Sequence, residues 1–380
     1  MKNVIKADYG KSWTKNPTAV ISYRAYGRIY FLQNSKTRRP RMTEIIDINL
    51  QEILNHWDLE LYRFEKICDV YKIYTQKGIK NLKVSPAVAA RLQFVHQAVQ
   101  HLTKKGFTQM YPLIPTVQGD TYIFDQHYAY SLFDWIEGRQ SNYKNKKELI
   151  QSFRILADFH QKSYDFTAPL HSNMRNHLGK CLKHFEERHQ DLLRFKEMAR
   201  NDAHDPFAVT YLANINYFLP MAEKAIAKMK KSAYPRLVER AKITKPFCHG
   251  DPAARNFIIT PNEEVFIIDF DSCRLDLPIM DLIKFTRRVM KKYRWRYSVA
   301  KLLIDNYQDI QPLTSSELEV MKAVFFFPQK FWRLAIRYFD QHTQYGPERL
   351  LRKFQKYVNN KDYLVLFQEQ FENYQSFSGE

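Results

Sequence analysis

The sequence predicts an α+β protein of two lobes: a small, mainly antiparallel β lobe over residues 43–129 and a larger, mostly helical lobe over 139–380. Three observations predict it. Short β-favouring runs separated by turn residues cluster between Leu59 and Val84. Beyond residue 139 the apolar residues recur at helical spacing in segment after segment. A chain of 380 residues with 45% hydrophobic and 26% charged side chains is long enough and apolar enough to build two cores.

The elements follow in order. Residues 1–42 read as a basic extension, with Tyr23, Tyr26, Ile29, Tyr30 and Phe31 offering it partial structure. From Thr43, the apolar positions Ile46, Leu50, Ile53 and Leu54 share one side of a short helix. Strands are expected at Leu59–Ile67, Val70–Thr75 and Ile79–Val84, the last two joined by a turn at Gln76-Lys77-Gly78. Within the third strand, alternation puts Lys83 on the face opposite Leu82 and Val84. A helix spans Ala87–Leu102, with Leu92, Val95, Val99 and Leu102 as its stripe. Strands follow near Leu113–Val117 and Tyr122–Phe124, and residues 130–138 read as a connector. Leu149, Phe153, Leu156 and Phe159 mark the first helix of the second lobe. Leu178–Leu192 and Ala208–Met229 mark two more. Pro278 opens a helix in which Asp281 is placed to cap backbone donors.

One stretch carries chemistry: His249-Gly250-Asp251, Asn256, two apolar runs at 257–260 and 265–268, then Asp269-Phe270-Asp271. Pro261–Glu264 between the runs is turn chemistry. A hairpin with that four-residue loop pairs Thr260 with Val265, Phe257 with Ile268 and Asn256 with Asp269. Opposed residues lie roughly 4.5–5.5 Å apart at Cα, close enough to share one cation. Asp251 sits five positions before Asn256, the spacing of the catalytic Asp and metal-binding Asn in protein kinases. In that reading Asn256 and Asp269 hold Mg²⁺, and Asp251 takes the proton of an attacking hydroxyl. The plain alternative is a β-hairpin with polar ends.

The chain has a formal net charge of +19, and residues 1–42 hold ten basic side chains against one acid, Asp8. A second cluster comprises Arg287, Arg288, Lys291, Lys292, Arg294 and Arg296. Such clusters are either solvated faces or contacts for an anionic polymer, membrane or protein surface. No zinc finger, RNA-binding aromatic motif or basic zipper accompanies them. The N-terminus has no signal-peptide core, and no apolar run approaches a transmembrane segment. The four cysteines lack metal or framework spacing. Cys248 and Cys273 read as core thiols flanking the hairpin, with a disulfide between them as the alternative. The 24 Tyr and 27 Phe suit either an aromatic core or tyrosines available for cross-linking.

His249-Gly250-Asp251, Asn256, Ile267-Ile268-Asp269-Phe270, Asp281-Leu282 and Leu156-Ala157-Asp158-Phe159-His160 together resemble the aminoglycoside phosphotransferase and choline kinase superfamily, which has the protein-kinase-like fold. Within it the chain is most similar to the CotS-type spore-coat proteins of endospore-forming bacteria. Ile73-Tyr74-Thr75, Lys105-Gly106-Phe107, Asp134-Trp135-Ile136-Glu137-Gly138, Asp276-Leu277-Pro278 and Phe327-Pro328 carry that closer likeness.

The resemblance implies ATP and Mg²⁺ as cofactors, with Asp251 as catalytic base, Asn256 and Asp269 as metal ligands and Lys83 on the nucleotide phosphates. Ser131, Leu132 and Phe133 would border the adenine, and Asp271 would add an outer contact. It also implies synthesis in the mother-cell cytoplasm, residence in the spore coat, other coat proteins as partners, and a small hydroxylated substrate or sugar as acceptor. A catalytically inactive coat component and a polyanion binder using the basic N-terminus are the alternatives. Two departures from the family pattern stand out. The turn Lys66-Ile67-Cys68-Asp69 has no glycine for close approach to phosphate. The helix Ala87–Leu102 has no acid to partner Lys83, leaving Gln93 or His96 as a weaker substitute.

Overall fold

The computed structural model describes residues 22–25, 28–31 and 48–375, apart from 68–69, 87–88, 125–127, 171–174, 203 and 341–345. Most of the basic extension and the expected start of the first helix at Thr43 lie outside the described residues. Within the extension, β1 (Ser22–Ala25) and β2 (Arg28–Phe31) form an antiparallel hairpin that pairs with β3 (Ile48–Asn49). The short helix α1 (Leu50–Leu54) follows at once, its first turn closed by the Asn49 side chain.

The β lobe is a six-stranded antiparallel sheet of β4 (Leu61–Ile67), β5 (Val70–Thr75), β6 (Gly78–Pro86), β7 (Leu113–Ile114), β8 (Ile123–Phe124) and β9 (Tyr128–Asp134), ordered β4-β5-β6-β9-β7 with β8 also on β9. Alternation decides its faces. Tyr71, Ile73 and Thr75 of β5 are buried while their neighbours are half-buried. With Leu82, Tyr130 and Leu132, Tyr71 and Ile73 pack on Leu50, Leu54, Trp57 and Leu59 to make a small core of its own. Residues 130–134, expected to begin a connector, are instead strand, paired along their length with β6: Lys83 lies opposite Ser131 and Leu82 opposite Leu132. Helix α2 (Ala89–Lys104) packs against the turn at Phe270–Ser272, and the Ile267 N–H donates to the Gln109 carbonyl at 2.9 Å. These contacts tie the two lobes together beside the chemistry-bearing hairpin.

The helical lobe begins at β10 (Arg139–Gln140) and α3 (Lys146–Lys162). It continues through α4 (Cys181–Arg200), α5 (Pro206–Lys231), α6 (Tyr234–Thr244), and the short strands β11 (Phe247–Cys248), β12 (Phe257–Ile259), β13 (Val265–Ile267) and β14 (Arg274–Leu275). Helices α7 (Pro278–Met290), α8 (Tyr297–Gln308), α9 (Ser315–Phe326), α10 (Gln329–Phe339), α11 (Pro347–Val358) and α12 (Lys361–Glu372) complete it. Its core is aromatic: Phe207 stacks on Tyr338 at 4.0 Å, Phe185 on Phe327 at 4.2 Å and Phe218 on Phe331 at 4.3 Å. Tyr211 and Tyr307 are fully buried there, whereas Tyr62 and Tyr363 remain exposed. Among the described residues no helix is long and apolar enough to cross a membrane.

Leu132 is wholly buried in the small core, which separates its role from those of its neighbours. Leu132→Ala is expected to lower stability by about 2–5 kcal/mol through the cavity it leaves, measurable as a reduced denaturation midpoint.

Candidate active site

The site is built on the loop from β11 to β12. Gly250 has φ +80°, a conformation that favours glycine, and a Cβ there would collide with the Ser272 carbonyl. Its N–H donates to both carboxylate oxygens of Asp281, at 3.1 and 3.0 Å. Asp281 is fully buried. Sequence alone placed it as a helix cap, yet α7 has no side-chain cap, and the carboxylate is turned to the loop instead. Burial would push the Asp281 carboxyl up, but His160, Arg274 and His249 outweigh it and hold the group well below the usual carboxylate range. His160 lies 3.6 Å from it through Nε2 and is oriented by the Tyr307 hydroxyl, 2.7 Å from Nδ1.

Next to Gly250, His249 joins the two halves of the site. Its Nδ1 accepts from the Asp251 N–H at 3.2 Å, and its Nε2 lies 2.9 Å from the Ile268 carbonyl. That pairing requires the neutral ring protonated at Nε2, and complete burial pushes the imidazole below its ordinary range. Asn256 is buried and donates through Nδ2 to the Asp251 carbonyl at 2.9 Å. Its amide oxygen is therefore the atom left for a cation.

The hairpin differs from expectation by one residue. Phe257 pairs with Ile267 and Ile259 with Val265, so Asn256 faces Ile268, whose N–H donates to the Asn256 carbonyl at 2.9 Å. The loop has three residues rather than four. It is closed by Thr260 N–H to Glu264 O at 2.9 Å, with Glu263 left-handed at φ 62°. Thr260 is drawn into this turn because its hydroxyl accepts from the Glu264 N–H at 3.1 Å. A one-residue shift reverses which way each side chain faces. Asp269, one position beyond the pair, lies in the left-handed region at φ 67°, ψ 65°, a strained conformation for a non-glycine residue.

Across the cleft, Lys83 pairs with Asp271 and lies 3.5 Å from Asp269. Asp271 also meets Arg91 of α2 at 3.3 Å, and its backbone carbonyl accepts from Arg175 at 2.8 Å. The partner of Lys83 is thus the hairpin, and neither Gln93 nor His96 takes that part. His96 instead lies 2.9 Å from the Ser131 hydroxyl and 3.0 Å from that of Thr121. Burial, reinforced by the charge of Lys83, pushes its imidazole down to about 4. Of the three residues expected around adenine, Ser131 and Phe133 share the sheet face of Lys83, while Leu132 lies on the other face.

Asp251 is surrounded by cations that sequence reasoning had not assembled. Arg288 and Arg255 both pair with it, and Lys284 lies 3.7 Å away. Burial pushes its carboxyl up, but Arg288 first, then Lys284 and Arg255, hold it below the usual range. Lys284 and Arg288 are four apart on α7, a spacing that puts both on one helix face. Arg175 had no signal in the sequence. Cys248 and Cys273 are free, buried thiols, both pushed well above the usual range by burial.

Gly250→Ala is expected to destabilise the fold by at least about 1–3 kcal/mol from backbone strain alone, seen as a lower melting temperature. A pH dependence follows from His96. Its folded pKa is depressed, so its contribution is full above the unfolded value near ~6.5 and is lost as pH falls towards about 4. Denaturation midpoints are expected to drop across that window, and His96→Gln to flatten the drop.

The profile of the family described as "Spore coat putative kinase YutH" matches residues 50–371. Spore coat protein S of Bacillus subtilis (strain 168) is 25% identical over 271 residues, covering 71% of this chain and 77% of that protein. Among solved structures, an aminoglycoside phosphotransferase from Alicyclobacillus acidocaldarius superposes with a TM-score of 0.75 at 20% identity, covering 90% of this chain and 99% of that one. A spectinomycin phosphotransferase in complex with ADP and spectinomycin gives 0.54 at 13% identity, covering 84% and 98%. These structural likenesses establish a two-lobed, protein-kinase-like α+β fold. With its profile match running through both lobes, the chain belongs to the YutH family of kinase-like spore coat proteins.

Proposed function

We propose that this protein is an ATP- and Mg²⁺-dependent phosphotransferase that acts on a small hydroxylated acceptor and works in the spore coat beside other coat proteins. One observation carries the reading. Lys83 from the β lobe meets Asp269 and Asp271 from the helical lobe, on the hairpin whose other strand begins beside Asn256. The amide oxygen of Asn256 and the carboxylate of Asp269 are hard oxygen donors of the kind Mg²⁺ takes. When bound there, the ion would neutralise charge on the phosphates.

The chain's own residues supply the rest. Lys83 contributes a cation for the nucleotide phosphates, and Ser131 and Phe133 line the same face of the sheet. Asp251 orients the acceptor hydroxyl. The acceptor oxygen bonds to the γ-phosphorus, the bond from that phosphorus to ADP breaks, and the hydroxyl proton passes to the Asp251 carboxylate. The low carboxyl pKa of Asp251 suits a group that must stay ionised until the proton arrives.

Calorimetry on the full chain tests this. MgATP is expected to bind in the range of about 1 μM to 1 mM usual for enzyme substrates. Lys83→Met should weaken binding by about tenfold or more, the equivalent of one charge-assisted contact, and Asp269→Asn should remove its Mg²⁺ dependence. Failure of the folded wild-type protein to bind MgATP would eliminate the phosphotransferase reading.

A further inference from the structure

Beside Asp251 the helical lobe forms a solvent-open cavity of about 370 Å³ between α4, α7 and the start of α10. Arg188, Lys284, Arg287, Arg288, Lys291 and Arg333 line it. The acid on its wall, Asp276, is engaged by Arg274 at 3.2 Å. Among the described residues, no carboxylate lies within 4.0 Å of the charged groups of Arg188, Arg287, Lys291 or Arg333.

Neutral groups position two of them instead. Arg287 donates to the Val324 carbonyl and, at 3.0 Å, to that of Phe327. Arg188 donates to Gln329 Oε1 at 2.8 Å and lies over the Trp332 ring at 4.6 Å. The guanidiniums are thereby oriented while their charge stays uncompensated. Lys291 is exposed as a residue, but its ammonium end is drawn among other groups, and that local burial and then the neighbouring cations Lys330, Arg333, Arg287 and Arg288 push it down to about 8. Arg188, Arg287 and Arg288 are half-buried, and like charges held there repel and are costly to keep together. A ligand carrying the opposite charge removes that cost.

Two of the lining residues fix where such a ligand sits relative to the chemistry. Arg288 spans from the cavity to Asp251, and Lys284 from the cavity to the Gly250 carbonyl and towards Asp251. We propose that this cavity binds the anionic group of the acceptor, so that the substrate is a small polyhydroxylated molecule bearing a phosphate monoester or carboxylate, and not a cationic amino-sugar. The inference rests on the phosphotransferase reading for its acceptor hydroxyl, which the ligand would present to Asp251. The same cations reject a polyamine by repulsion. Arg333 and Lys291 are exposed at the surface, so replacing them leaves the buried packing in place.

Calorimetry with the full chain compares glucose 6-phosphate, glucuronate, glucose and an aminoglycoside, with MgATP binding measured separately. At least one anion is expected to bind tenfold or more tightly than glucose, and to weaken as ionic strength rises. Arg333→Gln combined with Lys291→Gln should reduce that affinity about tenfold, in protein whose melting temperature confirms folding. The phosphate and carboxylate arms identify the anionic group. Equal binding of glucose and both anions, aminoglycoside binding as tight as the anions', or an unaltered affinity in the folded double variant overturns the inference. Anion binding without MgATP binding would retain the cavity and remove the phosphotransferase reading. MgATP binding without anion preference would do the reverse.

Discussion

The buried Asp281 carboxylate is the constraint from which the site is built. Its two oxygens share the single Gly250 N–H, and they do so in the interior, where an unpaired charge would be costly. His160 approaches it at 3.6 Å and is itself aimed by Tyr307. The arrangement works only because residue 250 has no side chain to strike Ser272. α3, α7 and α8 therefore converge on one backbone amide and set the start of the loop that carries Asp251 and Asn256.

From that anchor the geometry propagates by short links. His249, kept neutral by burial, reads the backbone at both Asp251 and Ile268. Asn256 ties its own side chain to the Asp251 carbonyl. The hairpin then delivers Asp269 in a left-handed conformation towards Lys83. Charge is sorted along the cleft: the two carboxylates of the hairpin meet one lysine and one arginine from the β lobe, while the carboxylate of Asp251 faces cations from the helical lobe. In the proposed function the first grouping would take the metal and phosphates, and the second the anionic acceptor.

Much of the fold was legible beforehand because periodicity is a local property. The stripes at Leu149–Phe159 and Leu92–Leu102 lie in α3 and α2, and the alternation in Val70–Thr75 is the buried face of β5. Boundaries were less legible where pairing decides them. Residues 130–134 lack a strong local signature, and they are strand because β6 lies alongside. The hairpin register failed for a related reason: whether a turn holds three residues or four depends on the Thr260 hydroxyl and the left-handed Glu263, which composition does not reveal.

Local sequence was enough for the fold class, the spacing of Asp251 to Asn256, and the existence of a hairpin between Asn256 and Asp269, since all of these depend on residues within about two dozen positions of one another. Tertiary structure alone decided the partner of Lys83, the buried role of Asp281, and the gathering of Arg188, Arg288 and Arg333 around one cavity. Those groups are 188, 31 and up to 145 positions apart from their partners. Electrostatic interaction acts through space rather than along the chain, so no pattern of neighbouring residues could announce it.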